Sequence, residues 1–280
     1  MEIKRYLLSF FLIFLFCVQG YSQPKFPRVS PGAKVSQVIG ITEVSVDYHR
    51  PGVKGRLIWD GLVPLGEIWR AGANEATTIS FSDPVTIEGA NIPAGKYSLF
   101  ILPEKNTNSA VMVLNKNVEL WGTYGYKEED DVLRVRVKPK YIEHQEWLIY
   151  TFEDLQKNSA VLQMHWEDFA AELLITVDTD KLVLESAKDT KGWKDLYQVA
   201  NYCYENKVNP ETGKDWLKRS LKEEKNYWNL SLQALYHAED GQLDGARAVM
   251  EEAIKLGKEL ENKPRNLEDM EKQLAEWKTK

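Results

Sequence analysis

The sequence predicts an α+β protein in two parts, an N-terminal antiparallel β-sandwich or barrel followed by an all-α domain of helical hairpins. Apolar residues alternate with polar ones from about Val35 to Thr179, and turn residues separate these short runs. From about Ser186 the apolar spacing changes to three and four, as in amphipathic helices. We therefore expect a β domain over residues 27–179 and a helical domain over residues 186–280.

Residues 1–22 have the layout of a secretory signal peptide. Lys4 and Arg5 precede an apolar run over residues 6–18, and a small residue, Ser22, suits a cleavage site. The run is too short to span a bilayer comfortably as a helix. We expect cleavage near Ser22, a periplasmic or secreted protein, and no membrane span after the signal is removed.

Composition limits the classes of partner and of covalent cross-link that the chain can have. The formal net charge is −6 at pH 7, with both signs interspersed. The basic run over residues 134–140 alternates with valines, which is typical of a solvated strand face, so no nucleic-acid partner is expected. Removal of the signal leaves Cys203 as the one cysteine of the sequence, which excludes an intramolecular disulfide.

Two predicted strands are apolar on both faces, "KYSLFILP" from Lys96 and "AVMVLN" from Ala110. Such strands are covered on both sides. We expect a second sheet layer to cover one face and the C-terminal helices to cover the other. Glu167 and Asp168 are predicted to close a tight hairpin between the last two strands.

The helical part contains a repeat of 33 to 34 residues, which is typical of helix-turn-helix repeats of the tetratricopeptide kind. Small residues recur at matching places, where they let paired helices approach closely. The matched pairs are Ala200 with Ala234, Gly213 with Ala246, and Ser220 with Ala253.

Established catalytic motifs are absent from the sequence. It contains no GxSxG nucleophile elbow and no GxGxxG phosphate loop. The four histidines fall in different elements without metal-ligand spacing, so neither a metal nor a cofactor is predicted. These residues are His49, His144, His165 and His237.

A cationic loop follows the strand that ends at His49. The segment "RPGVKGR" places Arg50, Lys54 and Arg56 within seven residues. Such a loop is suited to hold a carboxylate or phosphate group. The alternative is a solvated turn that begins with a capping histidine.

The segment "WRAGANE" carries four further candidate residues, Trp69, Arg70, Asn74 and Glu75. Extrapolated strand phase places Glu75 on the core side, and Gly72 and Asn74 suit a turn with positive φ. One interpretation is a clamp in which Arg70 neutralises a buried Glu75 while Trp69 closes the sheet end. In the other, Arg70, Asn74 and Glu75 point into a ligand cleft.

Exposed aromatic residues are expected in the loop "WGTYGY", where Trp121 and Tyr124 flank small residues. The candidate binding set then comprises two tryptophans, a tyrosine and four polar residues. Its members are His49, Trp69, Arg70, Asn74, Glu75, Trp121 and Tyr124.

The blocks "WRAGANEATT", "PAGKYSLFILP", "WGTYGY" and "DDVLRVRVKPK" resemble the exported bacterial proteins grouped as domain of unknown function 2911, found largely in Bacteroidetes. The resemblance covers about Pro27 to Asp178. Members of that family often carry a tetratricopeptide-like C-terminal part, which agrees with the repeat. The resemblance implies no substrate, cofactor or catalytic residue.

These observations favour a non-enzymatic binding protein of the periplasm or cell envelope whose partner is a protein, peptide or glycan. Two alternatives stay open. One is a hydrolase of glycans or peptides that uses Glu75 as acid or base. The other is a structural envelope factor.

Overall fold

The computed structural model describes residues 26–105 and 108–280, so the predicted signal peptide lies outside the described residues. In the described part ten strands precede six helices, which confirms the α+β layout in two parts. The last strand ends at Thr176 and the first helix begins at Thr179.

The strands are β1 Gly32–Ile39, β2 Thr42–His49, β3 Thr78–Phe81, β4 Val85–Ile87, β5 Ala90–Ile92, β6 Gly95–Pro103, β7 Ala110–Asn115, β8 Asp131–Val137, β9 Lys140–Glu153 and β10 Ser159–Thr176. The helices are α1 Thr179–Ser186, α2 Trp193–Asn206, α3 Pro210–Glu223, α4 Tyr227–Glu239, α5 Leu243–Glu259 and α6 Leu267–Lys278.

The strands form two antiparallel sheets that share one hydrophobic core. The six-stranded sheet has the order β1-β2-β3-β6-β7-β8, and the four-stranded sheet has the order β5-β4-β10-β9. Alternation predicts the inward faces correctly where strands are regular. In β2, for example, Val44, Val46 and Tyr48 are buried, and in β10 Phe169, Leu173 and Ile175 are buried.

The second face of β6 and β7 is covered by a loop, and the prediction that the C-terminal helices cover it is wrong. Phe100 of β6 and Val113 of β7 form a small buried cluster with Leu120, and the Tyr126 ring lies 5.2 Å from the Phe100 ring. Leu120 and Tyr126 belong to the segment between β7 and β8. Part of the "WGTYGY" block therefore has a packing role.

Glu167 and Asp168 form a bulge within β10, and the prediction that they close a hairpin is wrong. β10 continues through both residues, and its register against β9 shifts on either side of Glu167. Glu167 has a φ of +57°. A bulge absorbs extra residues without ending a ladder, so two adjacent charged residues do not by themselves mark a turn.

The helical part packs through small residues. The predicted small positions at residues 200, 213, 220, 234, 246 and 253 are all buried. A Cβ atom added at Gly213 would lie 2.7 Å from the Cβ of Cys203 and would also collide with the Tyr236 hydroxyl. Among the described residues, no helix has the length and apolar character needed to cross a membrane.

Gly213→Ala is expected to destabilise the helical part by about 1–3 kcal/mol, because overpacking a close helix contact forces neighbouring helices apart. Alanine is intrinsically the better helix former by about 1 kcal/mol. A net loss of stability in Gly213→Ala must therefore come from the packing and not from helix propensity. Urea unfolding of the two proteins measures it. Gly245→Ala is the matched control, since its new Cβ would meet its nearest neighbour, His237, at 3.8 Å. Equal stability of both variants would contradict close packing at Gly213.

Candidate functional site

The loop between Trp69 and Glu75 is held in a constrained conformation. Ala71 and Asn74 adopt φ values of +51° and +59°. The Ala71 carbonyl accepts hydrogen bonds from the Thr77 and Tyr150 hydroxyls, each at 2.9 Å. Positive φ was expected at Gly72 and Asn74, and the structure places it at Ala71 and Asn74. Gly72 is required for space instead, because an added Cβ would lie 2.7 Å from the Thr77 hydroxyl.

Trp69 joins the loop to the aromatic core of the sandwich. Its backbone exchanges hydrogen bonds with Ile101 of β6 at 2.8 and 2.9 Å. Its ring stacks on Trp166 of β10 at 5.6 Å and meets the edge of Trp59 at 5.9 Å. Trp69 therefore connects the two sheets at this end of the sandwich.

Glu75 pairs with Arg28 and His49, so the predicted Arg70–Glu75 clamp is wrong. The Arg28 guanidinium donates to both Glu75 oxygens at 2.5 and 2.8 Å, and His49 Nδ1 lies 3.5 Å from Glu75. The Glu75 side chain is 44% exposed. Strand phase predicted the wrong environment for Glu75 because β3 begins only at Thr78. Residues 76–79 are all buried in succession, so burial does not alternate before or at the start of this strand.

The charges around Glu75 hold it ionised. The hydrogen bond from Arg28 is the largest influence on Glu75, and together with His49 it lowers the pKa of this carboxyl below 4.5. Burial lowers the pKa of His49 below 6.5, against the opposing attraction of Glu75. An ionised carboxylate has no proton to donate at neutral pH, which opposes a general-acid role for Glu75.

Lowering the pH from 7 to 4 is expected to destabilise the protein through this cluster. Both pKa values are depressed in the folded state, so each group contributes stability above its unfolded pKa and loses it as the pH falls through its folded value. The His49 contribution begins to fade below pH 6.5 and that of Glu75 below pH 4.5. His49→Gln should flatten the first part of the pH profile of the unfolding free energy, and Glu75→Gln the second. Unchanged profiles would contradict the coupling.

The Arg70 side chain has no hydrogen bond or ion pair with any described residue. Its Nε is buried without a partner, and burial lowers the pKa of its guanidinium. The guanidinium packs against Gly122, whose φ is +64° and where an added Cβ would lie 2.9 Å from Arg70 Nη1. Gly122 N also donates to Asn74 O at 3.1 Å. Gly122 of "WGTYGY" thus makes room for the Arg70 side chain of "WRAGANE".

A recessed cavity of about 370 Å³ lies beside this loop. Three cationic side chains line it, and among its described lining residues none is a carboxylate, a histidine or a cysteine. Trp166 also lines it, is fully buried, and has an Nε1 donor without an acceptor in the described part of the chain. The cationic, aromatic and amide side chains of the lining are those of Lys54, Arg56, Trp69, Arg70, Asn74 and Trp166.

The cationic loop after β2 contributes Lys54 and Arg56 to the cavity lining, and both side chains already contact other groups of the protein. Arg56 donates to the carbonyls of Gly52 and Val53 at 2.5 and 3.1 Å. The Lys54 ammonium lies 5.4 Å from the centre of the Trp147 ring, and Lys54 N donates to Glu146 at 2.9 Å. Arg70 is the lining cation that has a buried donor without a partner among the described residues.

The predicted residues do not form one cleft. Trp69, Arg70 and Asn74 line the cavity, whereas His49 and Glu75 line a separate groove of about 580 Å³. The side chains of Trp121 and Tyr124 line neither and are 61% and 88% exposed. Reasoning from the sequence missed Trp166 and Arg28 as members of these sites. Within residues 26–105 and 108–280, no group of three or more histidine, cysteine or acidic residues is placed to hold a metal ion.

Comparison with known proteins identifies the β domain. A family model for DUF2911, described as a protein of unknown function, matches residues 30–175. The match covers all lining residues of the groove, and all described lining residues of the cavity except Val29. No curated protein and no solved structure matches the chain.

Proposed function

The chain belongs to the DUF2911 family, whose function is unknown, and we propose that it is a non-enzymatic binding protein of the periplasm or cell envelope. Its ligand occupies the cavity lined by Trp69, Arg70 and Asn74. The signal-like residues 1–22 support export.

One observation carries the proposal: the unpaired, partly buried guanidinium of Arg70 at a recessed cavity. An unpaired cation in a desolvated place is costly, and folds keep such groups where a ligand completes them. The volume suits a small molecule or one residue of a peptide or glycan. The absence of a histidine, cysteine or carboxylate among the described lining residues favours binding over catalysis.

The hydrolase alternative is less well supported. Asp47 lines the same groove as Glu75 and supplies a second carboxylate. However, Asp47 pairs with Lys34 at 3.5 Å, and Glu75 is held ionised by Arg28. A glycosidase of two carboxylates needs one of them to hold a proton.

A thermal-shift screen of the purified protein against glycans, peptides, organic anions and neutral organic molecules tests the proposal. Leu62→Trp fills the cavity mouth from a residue that is 48% exposed, so it should fold normally and lose the shift. Lys96→Met, in the groove, should keep it. A ligand whose shift survives Leu62→Trp and disappears in Lys96→Met would place the site in the groove and contradict the proposal. No ligand at all would favour the structural envelope factor.

A further inference from the structure

Two donors at the cavity lack acceptors, and both belong to residues that line it. Arg70 Nε and Trp166 Nε1 are buried and have no hydrogen-bond partner in the described part of the chain. Buried donors in native proteins are nearly always satisfied, so unsatisfied ones at a cavity indicate where a ligand acceptor belongs. The missing ligand group is therefore an acceptor rather than a donor.

The charge at the cavity defines the acceptor further. Its described lining contains Lys54, Arg56 and Arg70 and no carboxylate. Two nearby carboxylates are hydrogen-bonded, since Glu75 binds Arg28 and Glu146 accepts from the Lys54 backbone. Three cationic side chains and no carboxylate are among the described lining residues, so the lining itself favours an anion. A guanidinium favours oxyanions, which it binds in a planar, bidentate manner.

The walls of the cavity define the rest of the ligand. Trp69 and Trp166 stack with an angle of 20° between their planes, and both line the cavity. Pro51 and Ala73 add apolar surface. An aromatic wall beside cationic groups suits a ligand with an apolar or flat body and a charged head.

We propose that the cavity binds a small organic anion, with its carboxylate or phosphate on Arg70 and its apolar body against Trp69. This inference rests on the proposed function, because it names the ligand class of the same site. The preferred ligands of the cavity are then molecules with one oxyanion group, and neutral glycans are excluded as preferred ligands.

Matched probes that differ only in the head group test the inference. Isothermal titration calorimetry of the wild-type protein with phenylacetate, phenyl phosphate and phenylacetamide compares a carboxylate, a phosphate and a neutral amide on one ring. At least one anion should bind about tenfold or more tightly than the amide, since hydrogen bonds to charged groups are the stronger ones. The stronger of the two anions identifies the head group.

Variants then assign the preference to Arg70. Arg70→Met should bind acid and amide equally, Arg70→Lys should retain part of the preference, and Lys96→Met should retain all of it. The inference is overturned if wild type binds the amide as tightly as both anions, or binds none of the three probes. It is also overturned if the preference persists in Arg70→Met. In each case the proposed function would still stand if the thermal-shift screen found a ligand whose shift is lost in Leu62→Trp. A failure of this inference is therefore distinguishable from a failure of the proposed function.

Discussion

Arg70→Met is expected to leave the unliganded protein at least as stable as wild type, with a gain in the free energy of unfolding of up to about 1 kcal/mol. The wild-type guanidinium is only partly desolvated, so solvent screening reduces the gain, but its Nε is buried and has no partner among the described residues. Methionine of similar length removes that unsatisfied donor and keeps the packing of the side chain. The same variant loses the anion, so function and stability move in opposite directions.

Urea unfolding without ligand measures this effect, and Arg28→Met is the matched control. Arg28 binds Glu75 and lies 3.2 Å from His49 Nε2. Its removal should lower stability, and only slightly, because exposed ion pairs contribute little. A loss of stability in Arg70→Met larger than that in Arg28→Met would mean that the guanidinium supports the fold, and the interpretation of Arg70 as a ligand-binding group would be wrong.

Trp166→Ala is expected to lower the free energy of unfolding by about 3–5 kcal/mol, the range for deletion of a large buried aromatic side chain. Trp166 is fully buried, stacks on Trp69, and lies 6.2 Å from Trp59. Trp59 in turn lies 4.3 Å from Phe169. Loss of Trp166 therefore opens a void at the centre of the cluster that connects the two sheets.

Chemical unfolding followed by near-UV circular dichroism tests this second prediction. Trp121→Ala is the control, because Trp121 is 61% exposed and its removal should change stability by less than about 0.5 kcal/mol. Trp166→Phe keeps a ring in the cluster and should fall between the two. If Trp166→Ala costs no more than Trp121→Ala, the aromatic cluster does not hold the sheets together.

Regular periodicity predicted the fold well. Alternation identified the inward faces of β2 and β10, and apolar character on both sides identified β6 and β7 as covered strands. The spacing of small residues located the close helix contacts around Gly213. These features depend on local pattern, and tertiary structure preserves local pattern wherever the element is regular.

Irregular backbone is where the predictions failed. The phase of β3 was extended back to Glu75 through residues that are not part of the strand, and the bulge at Glu167 was interpreted as a turn. Neither a change of phase nor a bulge has a reliable signature in a single sequence.

The site was only partly predictable for a related reason. Trp69, Arg70 and Asn74 line one cavity and are also close together in the chain. Arg28 is 47 positions from Glu75, and pattern alone does not identify a partner at that distance. Trp166 did carry a signal, since it continues the inward phase of Leu162 and Met164. That phase predicts burial and does not predict a cavity.

The most direct test of the Arg70 cavity as an anion site is nuclear magnetic resonance of its two unpaired donors. In protein labelled with ¹⁵N, the Nε–H signal of Arg70 and the indole N–H signal of Trp166 are assigned by Arg70→Lys and Trp166→Phe. Titration with phenylacetate or phenyl phosphate should shift both signals together, while phenylacetamide shifts them little. Binding of the anions that leaves both signals unmoved would contradict the account.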